Sequence, residues 1–124
     1  MIVIDTATLI DIEQNTLPDQ AEQQLRGETI AITSLSHAEY WYGLLPNPNV
    51  ELTTRLDAYK VLQTTTRSAE LFAEHKQRLH AQGNPIPDFD LFIAAITQAH
   101  NAPLLTADNH FQAVKGLTTI TNTP

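Results

Sequence analysis

The chain has 124 residues, and its 7 Lys and Arg against 14 Asp and Glu give a formal net charge of -7 with neutral histidines. Hydrophobic residues make up 42% of the chain and charged residues 17%, which is typical of a folded domain and excludes a disordered protein. The absence of cysteine excludes thiol catalysis, disulfide scaffolds and cysteine-based zinc sites. The excess of acids argues against a basic surface for nucleic acid, since Lys and Arg contacts to phosphate supply most of such affinity.

Two other protein classes are disfavoured by the pattern of apolar residues. No apolar run approaches the roughly 20 residues of a membrane span, and no basic region precedes the apolar stretch at residues 2–4 as it would in a signal peptide. We therefore expect a cytoplasmic protein that does not bind a membrane. The length fits one domain, and no linker divides the chain, so residues 1–124 are expected to form a single domain.

The first half of the chain predicts alternating strands and helices. An aliphatic run without polar alternation is typical of a buried parallel strand, and β-branched residues favour a second strand. Capping residues and helix breakers set the limits of the helices. In chain order the predicted elements are strand 2–4, helix 7–14 capped by Thr6, helix 19–25 after Pro18, strand 29–33, helix 35–45, helix 50–58 and strand 60–64.

The second half contains the longest predicted helix, in which Leu71, Phe72, His75 and Leu79 recur at helical spacing before Gly83. The remaining predicted elements are helix 87–100, strand 103–106, helix 109–114 and strand 117–121. Strands that alternate with helices indicate an α/β fold. We predict a three-layer α/β/α sandwich with a mainly parallel sheet of four to five strands.

Four acids occupy positions where such folds carry chemistry, near the carboxyl ends of parallel strands. Asp5 ends the first strand, Glu39 lies in the helix after the second strand, and Asp108 follows the fourth strand. Asp90 lies in the first turn of the helix that begins near Pro87, at the edge of its apolar face. Converging carboxylates repel one another unless a cation binds, and oxygen ligands suit Mg²⁺ or Mn²⁺. The pattern therefore predicts a metal site that activates water for attack on a phosphate.

Each of these acids also has a structural interpretation. Asp5 can cap the helix that follows its strand, and Asp108 can cap the short helix after it. Ser36 and Glu39 match a capping box, and Asp90 suits the positive end of a helix dipole. The four acids in combination favour the metal site.

Four segments of the chain resemble motifs of the PIN domain family, in particular of its VapC-type toxins. The opening IVIDTATLI resembles the D-T-N/S-x-L-I start of these proteins, and residues 34–43 resemble their S-x-x-x-x-E-L-x-x-G segment. Residues 83–95, GNPIPDFDLFIAA, are similar to G-x-P-I-x-x-x-D-x-x-I-A-A, and residues 105–111 are similar to the L-V-T-x-N/D-x-x-x-F ending. The segments follow family order and spacing over nearly the whole chain.

The resemblance implies a Mg²⁺-dependent endoribonuclease, with Mn²⁺ as a substitute, that is the toxin of a toxin–antitoxin pair. It implies a homodimer that acts on RNA and is held inactive by its antitoxin. By position, Asp5, Glu39 and Asp90 correspond to the core catalytic acids that bind the metal, and Asp108 corresponds to a fourth metal ligand. Thr106 corresponds to a hydroxyl residue that positions a ligand or water. The acidic surface predicts an antitoxin with basic residues near the active site. The RNA target and the number of metal ions stay open.

The chain departs from the family pattern at Ala7, where many members carry Asn. Thr6 or Thr8 is the candidate to replace the missing hydrogen bond. We reject Asp88 as the third metal ligand because it fits the N-cap of its helix, whereas Asp90 keeps the family register.

An alternative function is a catalytically silent PIN-like module that binds a protein partner. The presence of all three core acids argues against it. A phosphatase that uses Asp5 as nucleophile is disfavoured because Ala7 stands where a second Asp is needed, and a receiver domain because Lys115 is predicted in a helix and not at a strand end.

Three basic side chains have two interpretations each. Lys76 and Arg78 on the long helix can contact RNA, or they can lie on a solvated face where Arg78 pairs with Glu74. His110, two residues after Asp108, can contact RNA, but we expect it to be a polar surface residue.

Overall fold

A computed structural model of the protein describes residues 1–122. In chain order its elements are β1 (Ile2–Ile4), α1 (Thr6–Glu13), α2 (Asp19–Leu25), β2 (Ile30–Thr33), α3 (Ser34–Leu44), α4 (Val50–Leu56), β3 (Lys60–Leu62), α5 (Thr66–Ala81), α6 (Asp88–Ala99), β4 (Leu104–Thr106), a short 3₁₀ helix (Asn109–Ala113) and β5 (Thr119–Thr121). Every predicted element within this range is present, and most bounds differ from the prediction by one or two residues.

The five strands form one parallel sheet in the order β3-β2-β1-β4-β5. From β1 the chain winds outward through β2 to β3, and it then returns to the other side of β1 to form β4 and β5. The winding direction therefore reverses between β1 and β4, and the carboxyl ends of these two strands border a crevice. The predicted α/β fold with a parallel sheet is confirmed.

Helices cover both faces of the sheet. Val3 of β1 lies in a buried cluster with Leu79 of α5 and Ile93 of α6. Its neighbour Ile4 points to the other face and lies in a second cluster with Leu9 of α1. All five side chains have no solvent exposure, and burial of each contributes roughly 1.5–3 kcal/mol to folding. The two clusters confirm the three-layer arrangement.

Three predicted helix caps are wrong. The carboxylate of Asp5, and not the Thr6 hydroxyl, caps α1 by accepting a hydrogen bond from Thr8 N. Thr33 caps α3 through Ser36 N, so the proposed capping box between Ser36 and Glu39 does not form. Pro87, and not Asp88, precedes the first turn of α6. At α1 and α3 the cap differs by one and three residues because neighbouring side chains compete for the same free N–H groups. At α6 the cap differs by one residue, and no side chain makes a cap hydrogen bond there.

Within residues 1–122, none of the helices has the length and apolar character that a membrane crossing requires.

Candidate metal centre

A cavity of about 410 Å³ opens at the carboxyl ends of β1 and β4. All four acids singled out in the sequence line it, and we call them the carboxylate cluster: Asp5, Glu39, Asp90 and Asp108. They come from four separate segments, so the fold brings together side chains that lie far apart in the chain. A larger cavity of about 590 Å³ lies at the amino ends of β4 and β5, and its described lining holds no carboxylate.

Asp5 is buried, with 5% of its surface exposed, and both of its carboxylate oxygens are held. Thr8 N donates to Oδ1 at 2.9 Å, and Thr106 Oγ1 donates to Oδ2 at 2.5 Å. The first contact caps α1, and the second ties the end of β1 to the end of β4. Each oxygen retains a lone pair for a cation, so the same carboxylate can serve as cap and as ligand.

Glu39 is oriented by Thr6, whose Oγ1 lies 2.6 Å from Glu39 Oε1. Thr6 Oγ1 also lies 3.0 Å from the hydroxyl of Ser36, which is fully buried at the start of α3. Ala7 lines the cavity without a polar group of its own. Thr6 therefore makes a hydrogen bond to the cluster beside the position where many relatives have Asn.

The electrostatics of Asp90 indicate that the cluster is crowded with negative charge. Partial burial raises the pKa of the Asp90 carboxyl, and the charges of Asp108, Glu39 and Asp5 raise it further, in that order. The nearby His110 acts in the opposite direction. A carboxyl whose pKa is raised by burial and by neighbouring acids in a cleft is a recognised feature of functional sites, because a cation or a proton must offset the repulsion.

His110 joins the cluster on the side of Asp108. Asp108 Oδ1 accepts a hydrogen bond from His110 N at 2.9 Å and lies 3.2 Å from His110 Nδ1. Asp90, Asp108 and His110 each place one possible ligand atom within 4.8 Å of the others. His110 is exposed, as the sequence predicts, and it is also a candidate ligand, which the sequence analysis did not predict. Its position two residues after a capping Asp was the available signal, because such a turn folds back toward the cap.

The other charged residues named in the sequence lie outside the cavity. Asp88 pairs with Lys76 across the surface at 3.1 Å. Arg78 contacts His75 Nδ1 at 3.1 Å, and its Nη1 lies 3.5 Å from the carbonyl of Ala113, so the expected pair with Glu74 is wrong. The exclusion of Asp88 as a candidate ligand therefore agrees with the geometry, although the cap assigned to it does not.

The donor set of the cavity fits a divalent cation. The cavity and its rim bring together the four carboxylates, the Thr106 hydroxyl that fixes Asp5, and the imidazole of His110. Oxygen-rich sites of this kind suit Mg²⁺ and Mn²⁺, and an imidazole at the edge is compatible with Mn²⁺. The negative charge of the cluster supplies the field that would hold such an ion.

Comparison with known proteins identifies the family. The PIN domain model matches residues 2–117. The structure is similar to that of VapBC2 from Rickettsia felis bound to a DNA fragment from their promoter, with 26% identity, 98% of each chain covered and a TM-score of 0.81. It is also similar to VapBC-1 from nontypeable Haemophilus influenzae, with 24% identity, 100% of each chain covered and a TM-score of 0.84. A third similar structure, DNA-bound VapBC from Salmonella typhimurium, has 22% identity, 98% coverage of each chain and a TM-score of 0.85.

A search of curated protein sequences gives no match. The family assignment therefore depends on the domain match, which covers nearly the whole chain, and on the agreement of the fold. The chain belongs to the PIN domain family, as its four sequence motifs predict.

Proposed function

We propose that this protein is the VapC-type toxin of a toxin–antitoxin pair and a Mg²⁺-dependent endoribonuclease, in which Mn²⁺ can replace Mg²⁺. The observation that carries the proposal is the convergence of Asp5, Glu39, Asp90 and Asp108 on one cavity. The likeness to VapBC structures over the whole chain supports the role of toxin. In this proposal residues 1–124 act as one PIN domain, as a homodimer in the cytoplasm, where the RNA substrate is found.

The chain's own residues prepare the cavity for hydrolysis of an RNA phosphodiester. Asp5 presents oxygens whose direction is fixed by Thr8 N and Thr106 Oγ1, and Glu39 is fixed by Thr6. The crowded acids make the cavity unfavourable for an anion such as RNA phosphate unless their charge is offset. A divalent cation held by these acids would offset it, and would supply a polarised water and neutralise phosphate oxygens.

The test is cleavage of total bacterial RNA by antitoxin-free protein with Mg²⁺, with Mn²⁺ and with EDTA, and in parallel by Asp5→Asn. Asn caps helices as well as Asp does, so this variant keeps α1 intact while it removes one ligand charge. We expect cleavage with either metal, and none with EDTA or with the variant. The cut ends should carry a 5′-phosphate and a 3′-hydroxyl, and sequencing them would identify the target.

The alternative function, a catalytically silent module that binds a protein partner, predicts a different result. Folded, dimeric protein that cleaves no RNA with any metal, and that binds no divalent ion in calorimetry, would support this alternative. Calorimetry is included because a nuclease with a narrow target leaves most RNA intact but still binds its metal.

The antitoxin is expected to place a Lys or Arg in the carboxylate cluster. The cluster contributes up to four negative charges to an already acidic chain, and a cation from the partner would offset them as a metal does. Mg²⁺ should therefore weaken antitoxin binding, and replacing that Lys or Arg by Ala should remove the dependence on Mg²⁺. A structure of the complex with no basic side chain near the four acids would contradict this expectation.

A further inference from the structure

Asn122 is a buried polar residue that belongs to none of the four family-like motifs and does not line the metal cavity. It follows β5, and only 3% of its surface is exposed. We propose that Asn122 is a positioning residue, which holds Asp5 in the orientation required for divalent-cation binding through its contacts with Thr8 and Thr106. This inference rests on the proposed function, because it assumes that a cation binds at Asp5.

The contacts of Asn122 lead to both groups that hold Asp5. Its side-chain Nδ2 donates to Thr8 Oγ1 at 3.2 Å, and its backbone N donates to Thr106 O at 2.7 Å. Thr8 N and Thr106 Oγ1 are the two donors to the Asp5 carboxylate. One residue therefore connects α1 with the end of β4, from which the two hydrogen bonds to Asp5 originate.

The side chain of Thr8 depends on this contact. Its hydroxyl donates to the carbonyl of Leu105 at 3.4 Å, which is a long hydrogen bond, and accepts the shorter one from Asn122. Without Asn122, two polar contacts would join the first turn of α1 to β4. One is the long hydrogen bond from Thr8 to Leu105 O, and the other is the Asp5 carboxylate, which accepts from both Thr8 N and Thr106 Oγ1. Asp5 would then have more freedom to turn with α1.

The chemistry of Asn122 argues for a role other than packing. Its Oδ1 is buried and has no hydrogen-bond partner among residues 1–122. A buried acceptor without a partner lowers stability, so packing alone does not account for an amide at this position. The amide of Asn122 does supply the hydrogen bond from Nδ2 to Thr8. Residues that lower stability are expected mainly at functional sites, so we assign Asn122 to the site formed by the nearby acids.

Calorimetric titration with Mn²⁺ tests the proposal on wild-type protein, Asn122→Ala, Thr8→Val and the double variant. Thr8→Val removes the hydroxyl but keeps the N–H that binds Asp5. We expect each single change to raise the Kd for Mn²⁺ by about 10-fold or more, since loss of a partner of a metal ligand costs roughly 10–100-fold in affinity. The double variant should lose little more than either single variant, because both changes break the same connection.

Thr97→Val is the matched control. Thr97 is fully buried and donates to Ile93 O at 2.7 Å near the far end of α6, so its loss removes a buried hydroxyl away from the cavity. The Kd of the Thr97→Val protein for Mn²⁺ should stay within about twofold of the wild-type value, although the unfolding temperature of this variant falls. Comparable weakening of Mn²⁺ binding in Thr97→Val and Asn122→Ala would overturn the positioning role, because general destabilisation would then explain both.

The remaining outcomes separate this inference from the proposed function. If wild-type protein and Asn122→Ala bind Mn²⁺ equally and Asp5→Asn does not, the positioning role alone is overturned. If wild-type protein binds no divalent ion, the proposed function fails and this inference fails with it. Should Asn122→Ala not fold, Thr8→Val decides, and an unchanged Kd in that variant overturns the proposal.

Discussion

Replacing Asp90 by Asn is expected to lower the rate of Mg²⁺-dependent RNA cleavage by at least about 100-fold. Loss of a residue that merely supports a metal ligand already costs roughly 10–100-fold, and Asp90 is proposed as a ligand itself. Asp90 lines the cavity with Asp5, Glu39 and Asp108, so its carboxylate would contact the cation directly. The measurement is the initial cleavage rate at saturating Mg²⁺, with wild-type protein assayed in parallel.

The same substitution is expected to stabilise the metal-free protein at neutral pH. Burial and the charges of Asp108, Glu39 and Asp5 raise the pKa of the Asp90 carboxyl in the folded state above its value in the unfolded chain. Ionised Asp90 therefore destabilises the fold at neutral pH, and this effect declines as the pH falls through the raised pKa. Asn carries no charge, so the unfolding temperature of Asp90→Asn should be higher by a few degrees in EDTA at pH 7, and the gain should vanish in acid.

Asp88→Asn is the control for both measurements. Asp88 lies two residues earlier in α6, is exposed, and pairs with Lys76 on the surface, a contact worth at most about 1 kcal/mol. This variant should cleave RNA at the wild-type rate and should not gain stability in EDTA. An Asp90→Asn protein that keeps wild-type cleavage, or that unfolds at a lower temperature than wild type in EDTA at pH 7, would contradict the assignment of Asp90 to the cluster.

The convergence of the acids could be predicted because it follows from chain topology. A run of aliphatic residues such as 2–4 indicates a buried parallel strand, and the carboxyl ends of parallel strands meet at one edge of the sheet. Asp5 follows β1 directly and Asp108 lies two residues after β4, and the order β3-β2-β1-β4-β5 makes these strands neighbours. The choice of Asp90 over Asp88 used the family register as well as the apolar face of the helix, since both acids lie in the first turn of α6.

The pattern of apolar residues does not predict the partners of these acids, because they are fixed by packing between distant segments. Thr6 contacts Glu39 across 33 positions, Thr106 contacts Asp5 across 101, and Asn122 contacts Thr8 across 114. Hydrogen bonds of this kind leave no periodic signal in the sequence. Thr106, and Thr6 or Thr8, are candidates through the family resemblance, and Asn122 lies beyond the last motif.

Phe111 anchors the 3₁₀ helix that follows Asp108 and carries His110. Its ring is 1% exposed and lies in the same buried cluster as Val3 and Leu79. Removal of a buried Phe ring costs about 3–5 kcal/mol, so Phe111→Ala should lower the free energy of unfolding by that amount in urea titrations. Since short 3₁₀ helices have little stability of their own, loss of this anchor should also release Asp108 from the cavity and raise the Kd for Mn²⁺.

Leu79→Ala distinguishes an effect on the site from an effect on the whole fold. Leu79 is fully buried in the same cluster but belongs to α5, and its truncation costs a similar amount, about 2–5 kcal/mol. Both variants are to be titrated with Mn²⁺ at a temperature where circular dichroism shows them folded. Phe111→Ala should then bind Mn²⁺ about 10-fold more weakly than Leu79→Ala, because Phe111, unlike Leu79, belongs to the segment that follows Asp108 and packs it against the hydrophobic core. Equal affinities would mean that the cap formed by Asp108 suffices to keep that acid in the cluster.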